Sequence, residues 1–155
     1  MTQPIAPLQD LFWQACEDLL IHHTNPWELD EALVAWGYGF GPCEAQDLAG
    51  LDAVLQSRTG SAPHPILARM VAEGRLGKKV GWGYFRYPGG GGAVVDPLIE
   101  DLIHEEARFA RITRVELEGS ALVERLHSAI GPALFADVTQ AARLVHFPVA
   151  RIAAS

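Results

Sequence analysis

Apolar residues recur every three to four positions in short runs, and glycine or proline closes each run. That punctuated periodicity points to a set of short packed helices. Between residues 8 and 20, Leu8, Leu11, Phe12, Ala15, Cys16, Leu19 and Leu20 fall at i, i+3, i+4, i+7, which places them on one face of a helix. The run NPWELDEALVAW, residues 25–36, then predicts a second helix. Asn25 can cap it, Pro26 suits its first position and Glu28 can reach back as in a capping box. Gly37, Gly39, Gly41 and Pro42 break the pattern in a tight interhelical turn. CEAQDLAGLDAVLQ, residues 43–56, predicts one further helix, and SRTGSAPHP ends it. Pro65 opens ILARMVAEG, whose Ile66, Leu67, Met70 and Val71 share a face, with Gly74 placed to stop it.

PGGGG, residues 88–92, reads as a flexible joint that contributes no side chains to a core. The division it predicts is a helical domain over 1–87, a joint over 88–95 and a helical extension over 96–155. In that extension Asp96 and Pro97 repeat the cap-plus-proline signal, and Thr113 to Glu116 reads as a capping box ahead of Leu122, Val123, Leu126 and Ile130. Leu134, Phe135, Val138, Ala142 and Val145 form a last amphipathic segment. GYFRYP is the one plausible extended piece and is too short for an independent sheet. The fold class expected is all-α, with seven helical segments packed on shared apolar faces.

Charge and cysteine usage narrow the function classes. With 12 Lys+Arg against 19 Asp+Glu, the net charge is -7, so the overall field repels polyanions and nucleic acid is not an expected partner. Cys16 and Cys43 are the only cysteines and have no ligand spacing, which suits a reducing, cytoplasmic setting. No apolar run approaches the roughly 18 residues of a membrane span.

The stretch GRLGKKVGWGYFRY, residues 74–87, concentrates glycines, cations and aromatics, and it raises the question of a phosphate-binding loop. The P-loop pattern fails there, because Ala72 stands where its first glycine is needed and Lys79 replaces the hydroxyl residue. GYGFG follows a helix rather than a strand and lacks the dinucleotide fingerprint. His104 and Glu105 begin a metalloprotease-like pattern, but Arg108 occupies the second ligand position, so no metal site is expected. The pairs Glu105–Glu106 and Asp30–Glu31 look like solvated helix faces. Trp36 continues a buried stripe, whereas Trp13, Trp27 and Trp82 leave room for an exposed interface. From the residues alone the glycine-rich stretch is a corner, to which Arg75, Lys78 and Lys79 could attract an anion.

The ordered series NPWELDEALVAWGYGFGPCEAQDLAGLD and HPILARMVAEGRLGKKVGWGYFRY resembles the C-terminal domain of the 3-hydroxyacyl-CoA dehydrogenase family. The pieces that carry the likeness are the helix with an aromatic-Gly end, the segment G-P-x-x-x-x-D-x-x-G-L-D at Gly41 to Asp52, and the turn G-R-x-G-x-K-x-G-x-G-[FY] at Gly74 to Tyr84. They cover about residues 14–87. DPLIEDLIHEEARFARIT looks like the stretch that leads into a second, partial copy in multifunctional fatty-acid-oxidation proteins. The family's usual Asn-Arg pair on the first helix is absent, and PIAPLQ stands in that region.

The resemblance implies a helical domain in acyl-CoA metabolism that dimerises or closes over substrate. NAD and the catalytic His/Glu pair would then belong to a separate Rossmann-type dehydrogenase subunit or domain. This chain would act as a stand-alone homologue with no catalytic residue and no cofactor bound by itself. Its expected partners are a second copy of the chain in a homodimer, that dehydrogenase and acyl-CoA. Lys78 and Lys79 are the candidates for contacting a CoA phosphate, while Gly41, Pro42, Gly81 and Gly83 would shape turns. The competing readings are an enzyme with its own acyl-CoA chemistry and a helical interaction protein without the ligand.

Overall fold

The structure is a computed structural model that describes residues 5–131. Among these residues there are seven α-helices and no strand element: α1 (Ile5–His22), α2 (Pro26–Trp36), α3 (Pro42–Ala49), α4 (Leu51–Ser57), α5 (Pro65–Ala72), α6 (Leu98–Phe109) and α7 (Ser120–Ile130). The chain is all-α as its periodicity requires. Helix α1 is the central element, packed by α5, α6 and α7, while α2 lies against α3 and α7. Phe12, Cys16, Leu20, Leu29, Leu33, Ile66, Met70, Ile99, Ile103, Leu122 and Leu126 are fully enclosed and form one continuous core. Trp13 belongs to it as well. Residues on both sides of the glycine-rich stretch therefore share that core.

The start of α2 follows its local signal. Asn25 has extended dihedrals, its Oδ1 accepts the Glu28 N–H at 2.9 Å, and Pro26 takes the first turn. The reciprocal half of a capping box is not made, because the Glu28 carboxylate has no hydrogen bond among the described residues. Gly37 ends the helix at φ +141, and its N–H reaches the carbonyls of Leu33 and Val34.

Two local expectations are corrected. Residues 43–56 do not form one helix, because Gly50 at φ +98 stops α3 and α4 begins at Leu51. The Leu51 N–H joins the Leu76 carbonyl at 2.9 Å, so the break docks this corner on the later turn. Thr113 to Glu116 does not cap a helix either. That segment runs extended across the end of α1, with Val115 N–H to the His22 carbonyl and Leu117 N–H to the His23 carbonyl, and α7 begins only after Gly119. Arg114 fastens it by donating to the carbonyls of Leu20, Ile21 and Thr24. Cationic donors at the carbonyl end of a helix satisfy groups that the helix cannot pair internally. The segment from Leu134 to Val145 lies outside the described residues.

Candidate functional site

The helices α3 and α5 have weak local start signals. Gly41 and His64 precede them, and neither supplies a side-chain cap. The orphan N–H groups are met instead by buried carboxylates from other helices. Asp30 of α2 accepts Cys43 N–H and Glu44 N–H, each at 2.9 Å. Glu17 of α1 accepts Ile66 N–H at 2.8 Å and Leu67 N–H at 3.3 Å. An anion at a helix N-terminus is favoured by both hydrogen bonding and the dipole. Gly41 backs onto the Asp30 carboxyl so closely that a Cβ would lie 2.1 Å from Cγ, and Pro42 fills the first helical position.

The same device builds the glycine-rich corner. Asp47 of α3 accepts the N–H groups of Tyr84 at 2.8 Å and Phe85 at 3.0 Å, and the Tyr87 hydroxyl at 2.7 Å. Asp47 is 1% exposed, so these three donors replace water entirely. The approach demands glycine opposite it: a Cβ on Gly83 would meet Asp47 Oδ1 at 2.2 Å, and one on Gly77, at φ +108, would meet the Asp47 carbonyl at 2.3 Å. Lys78–Val80 forms a single 3-10 turn that Gly81 closes in the left-handed region.

Arg75 ties the corner to α6. Its Nη1 donates to the Gly83 carbonyl at 3.1 Å and to Asp96 Oδ2 at 3.0 Å, while Asp96 Oδ1 accepts the Leu98 N–H at 3.1 Å where α6 begins. Arg75 is 4% exposed and Asp96 1%. Trp82 covers the guanidinium, with 4.1 Å from its carbon to the ring centroid, a stacked cation–π arrangement. Arg75 is therefore committed to the fold and does not face an incoming anion.

Lys78 and Lys79 are both exposed. Lys79 Nζ stands 2.7 and 2.9 Å from the two Asp52 oxygens. Lys78 Nζ lies 5.9 Å from the Tyr87 ring centroid. The structure thus exposes both lysines on one short turn, with Lys79 engaged by a carboxylate and Lys78 lying toward Tyr87.

Several carboxylates behave differently from their sequence reading. Asp30 is buried as a remote cap, not solvated, and Glu105 and Glu106 converge on Arg69. Periodicity and spacing carry no signal for the connections of Glu17, Asp47 and the Arg75–Asp96 pair. Asp47 and Asp52 nevertheless occupy the two aspartate positions of G-P-x-x-x-x-D-x-x-G-L-D, and that motif is their signal in the sequence. Cys16 and Cys43 are buried, and burial pushes both thiols well above their ordinary pKa. Among the described residues no group of three or more His, Cys, Asp or Glu could hold a metal ion, and no helix is long and apolar enough to cross a membrane.

Burial pushes Glu17 and Asp30 up to about 7 and Asp47 up to about 6, although the amides they accept pull the other way. The folded chain therefore holds these protons more tightly than the unfolded chain, whose carboxyls titrate near their ordinary values. Their ionisation costs stability as pH rises from about 4 to about 7, and the loss is complete above the folded pKa. Asp10 has the opposite sign: burial raises it, but the bonds from Arg58, Thr59 and Gly60 win and lower it, so its contribution disappears only in more acidic solution. We expect a higher urea midpoint at about pH 5 than at about pH 8. Equal midpoints would show that the buried caps ionise normally.

A helical domain with a G-P-x-x-x-x-D-x-x-G-L-D corner, locked by its aspartate onto a glycine-rich turn, defines the class. Residues 8–87 match the family described as 3-hydroxyacyl-CoA dehydrogenase, C-terminal domain, and the chain belongs to that family. It is similar to the peroxisomal bifunctional enzyme of Danio rerio, 28% identical over 128 residues, covering 69% of this chain and 18% of the relative. It is also similar to a peroxisomal fatty acid beta-oxidation multifunctional protein of Oryza sativa subsp. japonica, 31% identical over 93 residues, covering 55% of this chain and 13% of the relative. The chain thus spans less than a fifth of the length of these relatives. Its fold is shared with the dehydrogenase part of multifunctional enzyme 1 from C. elegans, at a TM-score of 0.61 and 20% identity, over 75% of this chain and 27% of that one.

Proposed function

We propose that this chain acts in acyl-CoA metabolism as a helical dimerisation or substrate-closing domain, working with a separate Rossmann-type domain that binds NAD. The observation that carries this reading is the family match over residues 8–87, which contains the Asp47-locked corner with Lys78 and Lys79 exposed on its short turn. Hydride transfer needs a nicotinamide held against the substrate carbinol and a base in hydrogen-bond reach of its hydroxyl. The residues of this chain suggest neither, so the chemistry is assigned to the partner domain. Residues 96–155 are read as the start of a second partial copy joined through 88–95, and the homodimer and the cytoplasmic setting belong to the same proposal. The test is NADH formation from 3-hydroxyacyl-CoA by the pure protein, alone and with a Rossmann-domain dehydrogenase from the same organism. A rate that rises only on mixing supports the proposal, and robust turnover by this chain alone overturns it.

CoA contact makes a sharper expectation. A phosphate arriving at Lys79 competes with Asp52, and an exposed ion pair of that kind is weak and screened by salt. Lys78→Ala and Lys79→Ala should each weaken CoA binding, whereas Asp52→Asn should strengthen it by releasing Lys79. Calorimetry across a salt series measures this. Loss of affinity in Asp52→Asn would mean that the lysines do not meet the phosphate.

A further inference from the structure

Beyond the glycine-rich turn the backbone folds back on itself twice. Trp82 stands opposite Arg86 in an antiparallel bridge, with the Gly83 N–H on the Phe85 carbonyl at 2.8 Å and the Tyr87 N–H on the Gly81 carbonyl at 2.9 Å. Arg86 in turn exchanges both backbone hydrogen bonds with Val94, at 2.9 and 2.8 Å. Residues directly opposite in antiparallel pairs project their side chains to the same face, so Trp82, Arg86 and Val94 form one row. All three are exposed, Trp82 at 38% and Val94 at 49%. A chain of contacts ties that row to α6. The Arg75 guanidinium under the Trp82 ring pairs with Asp96, and Asp96 accepts the N–H of Leu98, which is 60% exposed. Asp101 is exposed one helical turn beyond Leu98, on the same side of α6. Apolar residues exposed singly are ordinary, but here Trp82, Val94 and Leu98 are fixed around one buried ion pair.

We propose that two copies of the chain pair through this surface about a two-fold axis. The inference rests on the homodimer reading above and names its interface. Two copies that each carry a net charge of -7 repel one another at a distance, so a stable pair needs a patch that supplies its own opposite charges. Arg86 and Asp101 supply them: both are exposed, and neither forms an ion pair among the described residues. In an isologous interface the same patch meets itself in reverse order. Arg86 of each copy then faces Asp101 of the other, while Trp82, Val94 and Leu98 close between these two pairs. Tryptophan and arginine are the residue types that dominate the energetics of interfaces. Val94, Leu98 and Asp101 lie beyond residues 8–87, so the family match does not supply this surface. Lys78 and Lys79 take no part in it, and the CoA contact can fail without affecting it.

The experiment is sedimentation velocity over a concentration series of the full 155-residue chain, with circular dichroism to verify that each variant is folded. The unmodified chain is expected to dimerise. Leu98→Glu should raise the dimer dissociation constant by about tenfold or more, because a two-fold interface carries the change twice. An acidic residue suits the first turn of a helix, so this variant keeps its fold. Arg86→Glu and Asp101→Arg should each raise the constant by roughly tenfold, since each sets like charges opposite one another. Mixed in equal amounts, these two variants should pair as tightly as the unmodified chain, because each supplies the charge that the other lacks. Failure to recover on mixing overturns the proposed pairing. A dimer whose constant is the same in all three variants also overturns it, while leaving the homodimer reading in place. An unmodified chain that stays monomeric at concentrations on the order of 100 μM overturns both. A monomer that binds an added Rossmann-domain dehydrogenase, and loses it in Leu98→Glu, assigns the surface to that partner and overturns the self-association.

Discussion

Replacing Asp47 with alanine is expected to cost the fold roughly 3 kcal/mol or more, because two backbone N–H groups and one hydroxyl would lose their only acceptor inside the protein. Each buried donor left unpaired costs about 1 to 3 kcal/mol, and Asp47 is too enclosed for water to substitute without rearrangement. For a chain of this size the melting temperature should fall by about 10 °C, at roughly 2 to 4 °C per kcal/mol. Asp47→Asn should lie between the two, since the amide retains one acceptor oxygen but turns donors toward Tyr84, Phe85 or Tyr87. Thermal denaturation followed by circular dichroism measures both. If alanine lowers the midpoint by no more than a surface substitution does, the corner is not held by this carboxylate.

Arg75→Ala should be comparably damaging, for an electrostatic reason. Breaking a buried ion pair from one side leaves the other charge desolvated and uncompensated, at a cost of about 3 to 5 kcal/mol. Here the orphan would be Asp96, whose side chain is 2% exposed, and the Gly83 carbonyl would lose its donor as well. The double variant Arg75→Ala with Asp96→Asn should recover part of the loss, because no buried charge remains. Additive losses in that cycle would show that the two side chains do not act as a pair. Arg75 and Asp96 hold the lysine-bearing turn against α6, so on the CoA contact proposed above, affinity should drop in Arg75→Ala even where the remaining helices are folded.

The helices were legible in the sequence wherever the information is local. Apolar spacing located Phe12, Ala15, Cys16, Leu19 and Leu20 in the core stripe of α1 but misplaced Leu11, which is exposed, and Asn25 with Pro26 placed the start of α2 correctly. It failed where a local pattern competes with a partner far along the chain. Thr113 and Glu116 match a capping box, yet backbone bonds to His22 and His23 and the grip of Arg114 on the α1 carbonyls hold that stretch extended. The resemblance singles out Lys78, Lys79, Gly41, Pro42, Gly81 and Gly83 as candidates, and motif order identifies the family itself. That Lys79 is held by Asp52, and that Arg75 is buried, cannot be read there.

By itself, then, the sequence determined an all-α chain of the 3-hydroxyacyl-CoA dehydrogenase C-terminal domain family, because helical period, caps and motif order are properties of neighbouring residues. Tertiary structure alone decided which carboxylates became structural. Asp30 and Glu17 look like ordinary polar positions, and Asp47 is marked only by its motif, until the chain folds and each meets N–H groups 13 to 50 residues away. A carboxylate's role depends on whether water or a backbone donor reaches it, and that is settled by packing between elements, which no short window of residues contains.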